Sequence, residues 1–502
     1  MRRRLSLKEL YQASTYELEW EPTYVRKEDA FPYCEYEGIK VRDWSKWEDP
    51  FRMTHDAYVK LQAEKDKIFY SVLDSFAQTQ SFLNLSDGRY VNALKLFFTG
   101  VTLLEYMAHR GHAFVSRAFP SSRIGFSAFC QSLDELRHTQ TQLHTASLYN
   151  KYFHGLHSIR RMHDRVWYLS VPKSYFDDAV TGGPFEYMTA ISFSFEYALT
   201  NLLFVPFMSG AGYNNDQPTV NFGFSAQSDE ARHMTLGASF IRFVLEQHED
   251  NLPIVQDWLE KWMWRGYRVT LLAGVLMDYF LPKKLMSWRE ALELYFEQQV
   301  VNGLLKDLEL YGVKPLKSAE YALKEVNTAV HDVYWTLFSF THAAAFHTWI
   351  PEESHLDWLC EKYPDAFPTH YRPRWEKVRQ MKEKEGVRFY YPGLPQLCTV
   401  CQFPVLFVDP EDPRRFVFRY SVYRGEIYHF CSEFCKWIFD REPEKYIQSW
   451  LPVHEIYAGR CGGPTVPDVL SWYGFEGDNM DYFESEDYRN WSEWHKEAKV
   501  TA

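Results

Sequence analysis

Two short strings, DELRH at 134–138 and DEARH at 229–233, constrain this 502-residue chain more than any other feature. Each is a Glu-x-x-His unit, Glu135/His138 and Glu230/His233, inside a stretch with helical patterning. Residues i and i+3 share one helix face, so each unit turns a carboxylate and an imidazole the same way. Upstream of each unit lies a bare glutamate in an apolar run: Glu105 in GVTLLEYMAH, 30 positions before Glu135, and Glu196 in ISFSFEYALTNLLF, 34 before Glu230. A helix rises about 1.5 Å per residue, so one antiparallel helical hairpin per half brings each pair back to the same level. Unpaired carboxylates almost never occupy apolar faces, which argues against surface charge. Two bare glutamates and two Glu-x-x-His units are the six side chains of a carboxylate-bridged di-metal site in a four-helix bundle.

On this reading Glu105, Glu135 and His138 hold one metal, and Glu196, Glu230 and His233 the other. Hard oxygen donors with one imidazole each suit iron or manganese; zinc fits the chemistry poorly because it cannot change oxidation state. Asp134 and Asp229 precede the ligand glutamates, and Arg137 and Arg232 lie between Glu and His. A carboxylate accepting the outer imidazole N–H would fix its tautomer, and an arginine would neutralise that carboxylate. Thr200, four residues after Glu196, would share its face; its hydroxyl serves either an oxygen ligand at the metals or the helix carbonyl at i−4. Val101, Leu104, Ala108, Phe195 and Phe204 are the expected apolar lining of a substrate pocket.

The rest of the chain narrows the class. A formal net charge of −12 with no basic block argues against a nucleic-acid partner. MRRRLSLKEL has no apolar core of a secretory signal, and LTNLLFVPFM is too short to span a bilayer, so a soluble, cytoplasmic protein with no membrane association is expected. Helices are expected over Thr54 to about Thr79 and about 88–118, 122–151, 184–209, 219–248, 253–281, 286–307 and 317–345. The histidines at 154, 157, 163, 342, 347 and 355 lack companion carboxylates and read as ordinary polar or packing residues. After 396 the composition changes: CTVC and CSEFC place Cys398, Cys401, Cys431 and Cys435 in a C-x2-C, C-x3-C pattern around two strands turning at Gly425. That pattern gives a tetrahedral thiolate site, structural zinc before mononuclear iron. The expected organisation is an N-terminal arm (1–53), a helical di-iron domain (54–395), a four-cysteine zinc-binding subdomain (396–450) and a tail (451–502). The fold class is all-α: a ferritin-like four-helix di-iron bundle embedded in a larger helical domain, with a small C-terminal α+β zinc-binding subdomain.

At these residues the chain resembles the large subunits of bacterial multicomponent di-iron monooxygenases, and in particular the phenol hydroxylase branch. The stretches that carry the resemblance are GVTLLEYMAHRG, DRVWYLSVPKS, ISFSFEYALTNLLFVPFMSGAGYN, FGFSAQSDEARHMTLG, AAAFHTWIP and CTVCQFPVLF, with YHFCSEFCKWIFDREPEKYIQSWLPVHEIY near the end. The resemblance implies a dimer of heterotrimers with beta and gamma subunits and a small coupling protein docked over the active helices. Electrons would come from NADH through a separate reductase carrying FAD and a 2Fe-2S cluster. One oxygen atom of O2 would enter phenol or a methylphenol to give a catechol. It also implies that Thr200 gates or protonates the oxygen species, and that Asn201 and Gln227 line the opening beneath the coupling protein. A toluene, benzene or alkene monooxygenase with the same centre is the alternative, because a methyl group alters apolar pocket binding by only about 1–3 kcal/mol. No P-loop or dinucleotide fingerprint is present, so NADH is not expected to bind this chain. A ribonucleotide reductase subunit, a desaturase and a ferritin-like store fit the length, ligand set and cysteine tail less well.

Overall fold

In the computed structural model, residues 37–85, 88–151, 167–281, 284–326 and 419–447 are described, with shorter stretches at 6–13, 23–26 and between 328 and 417. Cys34, Cys461, the expected tail, and the histidines at 154, 157, 163, 342 and 347 lie outside the described residues.

Helix α1, His55–Gln78, starts where the Thr54 side chain accepts from the Ala57 N–H, with Asp56 in its first turn. Both features offset the bare amides and partial positive charge of a helix start. Helices α2 (Gly88–Ala118) and α3 (Ser122–Tyr149) follow, joined by a three-residue link that makes them antiparallel neighbours. Helix α4 is Trp167–Thr181.

Helix α5 runs from Pro184 to Tyr213, but not as one uniform helix. An α-helical opening, Pro184–Met188, passes into a π-helical stretch, Thr189–Tyr197, and α-helix resumes over Thr200–Tyr213. The wider turn is visible in the Ala198 N–H, which donates to the Phe193 carbonyl at 3.2 Å, five residues back. Periodicity alone reads this span as a regular helix, since one wide turn changes the register without changing composition. By length and composition α5 could cross a membrane, yet 72% of its apolar window is buried inside the protein. It is a core helix.

Helices α6 (Gln217–Gln247) and α7 (Asn251–Phe280) complete the central body. A Cβ at Gly237 of α6 would lie 2.1 Å from the Ser192 carbonyl oxygen, so only glycine lets α6 approach the π-helical stretch this closely. Beyond α7 come a short capped helix α8 (Trp288–Ala291) and a second π-helical run, Leu292–Leu304. One continuous apolar core joins these helices to the cysteine region: Trp262, Trp264, Tyr267, Phe296, Cys398, Cys435 and Phe439 all belong to it.

The C-terminal part holds an antiparallel hairpin, β1 (Tyr420–Tyr423) and β2 (Glu426–His429). Its two-residue turn puts Arg424 at φ 52° and Gly425 at φ 81°, the left-handed pair that matches strand twist in a tight hairpin. Helix α9 (Glu433–Arg441) follows, with the Ser432 side chain accepting from the Cys435 N–H.

Candidate metal centres and cavity

The six candidate ligands come from four helices: Glu105 from α2, Glu135 and His138 from α3, Glu196 from the π-helical stretch of α5, and Glu230 and His233 from α6. All six are buried, Glu105 being the most open at 8%. His138 Nδ1 lies 3.5 Å from Glu105, 3.6 Å from Glu135 and 3.5 Å from Glu230. His233 Nδ1 lies 3.0 Å from Glu230 and 3.4 Å from Glu135, and groups with Glu135 and Glu196 within 4.8 Å. The two sets of three are therefore not separate. Glu135 and Glu230 each face both imidazoles, the placement of carboxylates that bridge two ions, while Glu105 and Glu196 sit at the two ends.

Two observations test whether cations fit. Among the described residues His138 Nδ1 is buried without a hydrogen-bond partner, an orphan lone pair that protein interiors rarely leave. Burial, then the charge of Glu196, push the Glu135 and Glu230 carboxyls well above the ordinary carboxylate range. Four carboxylates held this close out of water are favoured by positive charge between them, which two divalent ions would supply.

Behind the imidazoles the two halves cross. His138 Nε2 is 3.3 Å from Asp229, and His233 Nε2 is 3.1 Å from Asp134. Arg137 donates to Asp229 at 3.1 Å, and Arg232 donates to both Asp134 and Asp229. Sequence reasoning identified these four residues but not helix α1, which closes the layer. Gln62 Nε2 bridges Asp134 (2.7 Å) and Asp229 (2.8 Å), Tyr58 donates to Asp134 at 2.8 Å, and Lys65 pairs with Asp229. The available signal was the spacing of Tyr58, Gln62 and Lys65 along one face that continues as Phe69, Leu73 and Phe76.

Thr200 Oγ1 is 3.2 Å from Glu196 Oε2 and 3.1 Å from the Phe195 carbonyl. The carbonyl it reaches is five residues back, not four, because of the π-helical turn before it. Gln227 donates to Asn201 at 3.4 Å, both half-buried. On the other side Gln142 donates to Glu105 at 3.2 Å and accepts from Thr102 at 2.7 Å.

A cavity of about 150 Å³ opens against Glu105, Glu196 and Glu230. Val101, Leu104, Ala108, Phe195 and Phe204 all line it, joined by Phe97, Phe176 and Phe207 and by Val269, Leu272 and Met277 from α7. An apolar cavity of about this size stays dry and accepts a benzene ring.

The second cluster is Cys398, Cys401, Cys431 and Cys435, all buried with their sulfurs within 4.8 Å of one another. Cys401 and Cys431 sulfurs are 3.5 Å apart, Cys431 and Cys435 3.6 Å. A tetrahedron with zinc–sulfur bonds of about 2.3 Å needs sulfur separations near 3.8 Å, so the donor set fits a zinc ion with small adjustment. The knuckle closes through the Gln402 N–H to Cys398 carbonyl bond at 2.8 Å, with Gln402 at φ 60°. Trp264 Nε1 of α7 donates to Cys435 Sγ at 3.3 Å. Arg268 one turn on pairs with Glu325, and its guanidinium lies 5.0 Å from the centre of the Phe403 ring.

Comparison with known proteins agrees with this geometry. The family of methane, phenol and alkene hydroxylases matches residues 20–248, a span that holds all six candidate ligands, and a YHS domain matches 408–450. The chain is 55% identical over 493 residues to the oxygenase component of phenol 2-monooxygenase from Pseudomonas sp. (strain CF600), covering 98% of this chain and 95% of that one. It is 28% identical to the oxygenase alpha subunit of the alkene monooxygenase system of Xanthobacter autotrophicus Py2, over 92% and 93% of the two chains. The crystal structure of xenon-pressurised phenol hydroxylase from Pseudomonas sp. OX1 superposes with a TM-score of 0.84 at 54% identity, over 98% of this chain and 100% of that one.

Proposed function

This chain belongs to the methane/phenol/alkene hydroxylase family, and from that premise we propose that it is the large oxygenase subunit of a multicomponent phenol hydroxylase, converting phenol and methylphenols to catechols. The single observation that carries the reading is the apolar, ring-sized cavity opening directly onto three of the six buried ligands.

Glu105, Glu135, His138, Glu196, Glu230 and His233 would hold two iron ions. Iron so held would supply the coordination positions and electrons for O2 activation. The protein does the rest. Asp134 and Asp229 hold the outer nitrogens of the two imidazoles, so that Nδ1 faces inward; Arg137, Arg232 and Lys65 pair with Asp229, and Arg232 with Asp134 as well. Val101, Leu104, Ala108, Phe195 and Phe204 bind the ring and exclude water. The Thr200 hydroxyl carries a movable proton beside Glu196 Oε2. Asn201 and Gln227, hydrogen-bonded to each other, line the opening over which a coupling protein would dock.

Cys398, Cys401, Cys431 and Cys435 would hold a structural zinc ion. The related proteins are components of multicomponent systems. In keeping with them, the subunit would work in the cytoplasm with beta and gamma subunits as a dimer of heterotrimers. A flavin and iron–sulfur reductase would bring electrons from NADH. The domain limits proposed are 1–53, 54–395, 396–450 and 451–502.

The test is to purify the subunit with its partners, measure metals, and compare products from phenol and toluene with reductase and coupling protein added. Two irons and one zinc per chain with catechol dominant is the expected result. Faster toluene or alkene oxidation would keep the centre and move the substrate class, and failure to take up paired iron anaerobically would overturn the reading.

A further inference from the structure

A chain of buried polar groups leads from Glu135 to a histidine that none of the roles above uses. Gln131, one turn before Glu135 on α3, places its Nε2 3.4 Å from Glu135 Oε1. The Gln131 Oε1 is 3.0 Å from Ser192 Oγ, on the π-helical stretch of α5. Ser192 Oγ in turn is 3.1 Å from His112 Nε2, and His112 Nδ1 is 3.0 Å from the Ala108 carbonyl on α2. His112 and Ser192 are fully buried and Gln131 is 1% exposed. The chain links three helices and ends at the backbone of Ala108, a cavity-lining residue.

Counting hydrogens exposes a conflict. The Ala108 carbonyl can only accept, so Nδ1 carries the imidazole hydrogen. Burial pushes the His112 pKa down to about 3, which leaves the ring neutral and Nε2 a bare acceptor. The Gln131 amide, with its N–H turned to Glu135, presents its carbonyl to Ser192. Two strong acceptors, with the weaker Met188 sulfur at 3.5 Å, therefore face one hydroxyl hydrogen.

Two arrangements give that hydrogen to a strong acceptor. In the first, Ser192 donates to Gln131, whose N–H holds Glu135, and His112 Nε2 has no donor. In the second, Ser192 donates to His112, Gln131 turns over to donate to Ser192, and its carbonyl faces the Glu135 carboxylate and repels it. Each leaves one unfavourable contact, so neither arrangement satisfies the buried network in full.

We propose that Ser192, held by His112, is a two-position hydrogen-bond switch that positions the Glu135 carboxylate through Gln131. Glu135 faces both His138 and His233, so its orientation sets how the two metal sites share a ligand. His112, Ser192 and Gln131 are positioning residues; none touches the reacting atoms. The inference rests on the di-iron reading of the site.

The test uses the whole oxygenase complex loaded anaerobically with ferrous iron, read by near-infrared circular dichroism and magnetic circular dichroism, which report the ligand geometry of each iron. Ser192→Ala and His112→Phe should each keep two irons per chain, shift the ligand-field bands, and slow single-turnover reaction with O2 by tenfold or more. The double variant should do no more than either single one, because both break the same link. His112→Gln, which returns a polar group to the Nε2 position, should restore most of the wild-type spectrum. Unchanged bands in Ser192→Ala, or effects that add in the double variant, would overturn the proposal. Ser192→Ala removes a single oxygen and decides the matter where His112→Phe fails to fold. A wild-type protein that takes up no paired iron would instead sink the di-iron reading itself.

Discussion

Asp134 lies 3.1 Å from Nε2 of His233, although the two belong to different Glu-x-x-His units. The reciprocal contact joins Asp229 to His138 at 3.3 Å. Each imidazole is thus oriented by the other half of the bundle, and neither half can build its site alone. Asp134→Ala should lower iron affinity about 10- to 100-fold, with the loss concentrated at the ion bound by His233. Iron titration followed by Mössbauer spectroscopy, which resolves the two sites, checks this. Equal loss at both would show that the aspartate acts through charge alone.

Gln62 bridges both of these aspartates. Gln62→Ala leaves two buried carboxylate oxygens short of a donor, and the metal-free protein should lose about 1–3 kcal/mol of stability. Urea unfolding of the apoprotein measures the loss, and an unchanged midpoint would mean that Lys65 and Tyr58 satisfy the carboxylates without it.

The cavity wall near the first bare glutamate should set substrate size. Leu104→Ala enlarges the space beside Glu105, and the ratio of kcat/KM for a methylphenol over phenol should rise on the order of tenfold, the value of one methyl group in an apolar pocket. Competition between the two substrates in one reaction reads that ratio directly. No change would place the selective contacts elsewhere on the wall.

Helix α7 carries the cysteine cluster's neighbours and the cavity wall within three turns. Trp264 donates to Cys435, while Val269, Leu272 and Ala273 face the cavity. Cys401→Ser should therefore keep the two irons yet broaden substrate preference, as the α7 wall loosens. Iron content with product distribution across substituted phenols would test it, and a loss of iron with unaltered preference would contradict it.

Asp178 ties the C-terminal part to the bundle, pairing with Arg265, Lys261 and Lys445 and accepting from Tyr446 at 2.8 Å. Burial alone would raise its pKa, but Lys261, Arg265 and Lys445 hold it below its ordinary value of 3.8. A depressed carboxylate stabilises the fold above its unfolded pKa, and the contribution fades as pH falls below 3.8 toward the folded value. Asp178→Ala should cost about 3–5 kcal/mol near neutrality, as expected for breaking a buried ion pair. The gap to wild type in chemical denaturation should narrow only below that pH. A gap that closes between pH 7 and 5 would assign the effect to another group.

Much of the site was legible in the sequence, because its chemistry is written in local spacing. Glu135/His138 and Glu230/His233 are i, i+3 pairs, and Glu105 and Glu196 stand out as charges in apolar runs. Val101, Leu104 and Ala108 follow from Glu105 by helical periodicity. What the sequence hid is tertiary. Nothing near Asp134 says that its partner is His233, and Tyr58, Gln62 and Lys65 look like any polar face until α3 and α6 are laid against them. Arg265 and Arg268 are charged residues on a long helix, and both are buried, because Asp178 and Glu325 arrive from elsewhere in the chain.

The π-helical turn at Thr189–Tyr197 has a consequence for how this chain can change over time. A turn of that kind holds one residue more than the α-helical turn it replaces. Loss of a single codon in the stretch would let a regular α-helical turn close in its place, with the flanking helix on either side kept in phase and the side chains within the turn redirected. Ser192 and Glu196 both lie in that stretch, so the hydroxyl beside His112 and the carboxylate grouped with Glu135 and His233 are among the side chains that would be redirected. Substitutions along α5 are open to selection one at a time, but its length is not: insertions and deletions that a surface loop absorbs would here dismantle the centre in one step.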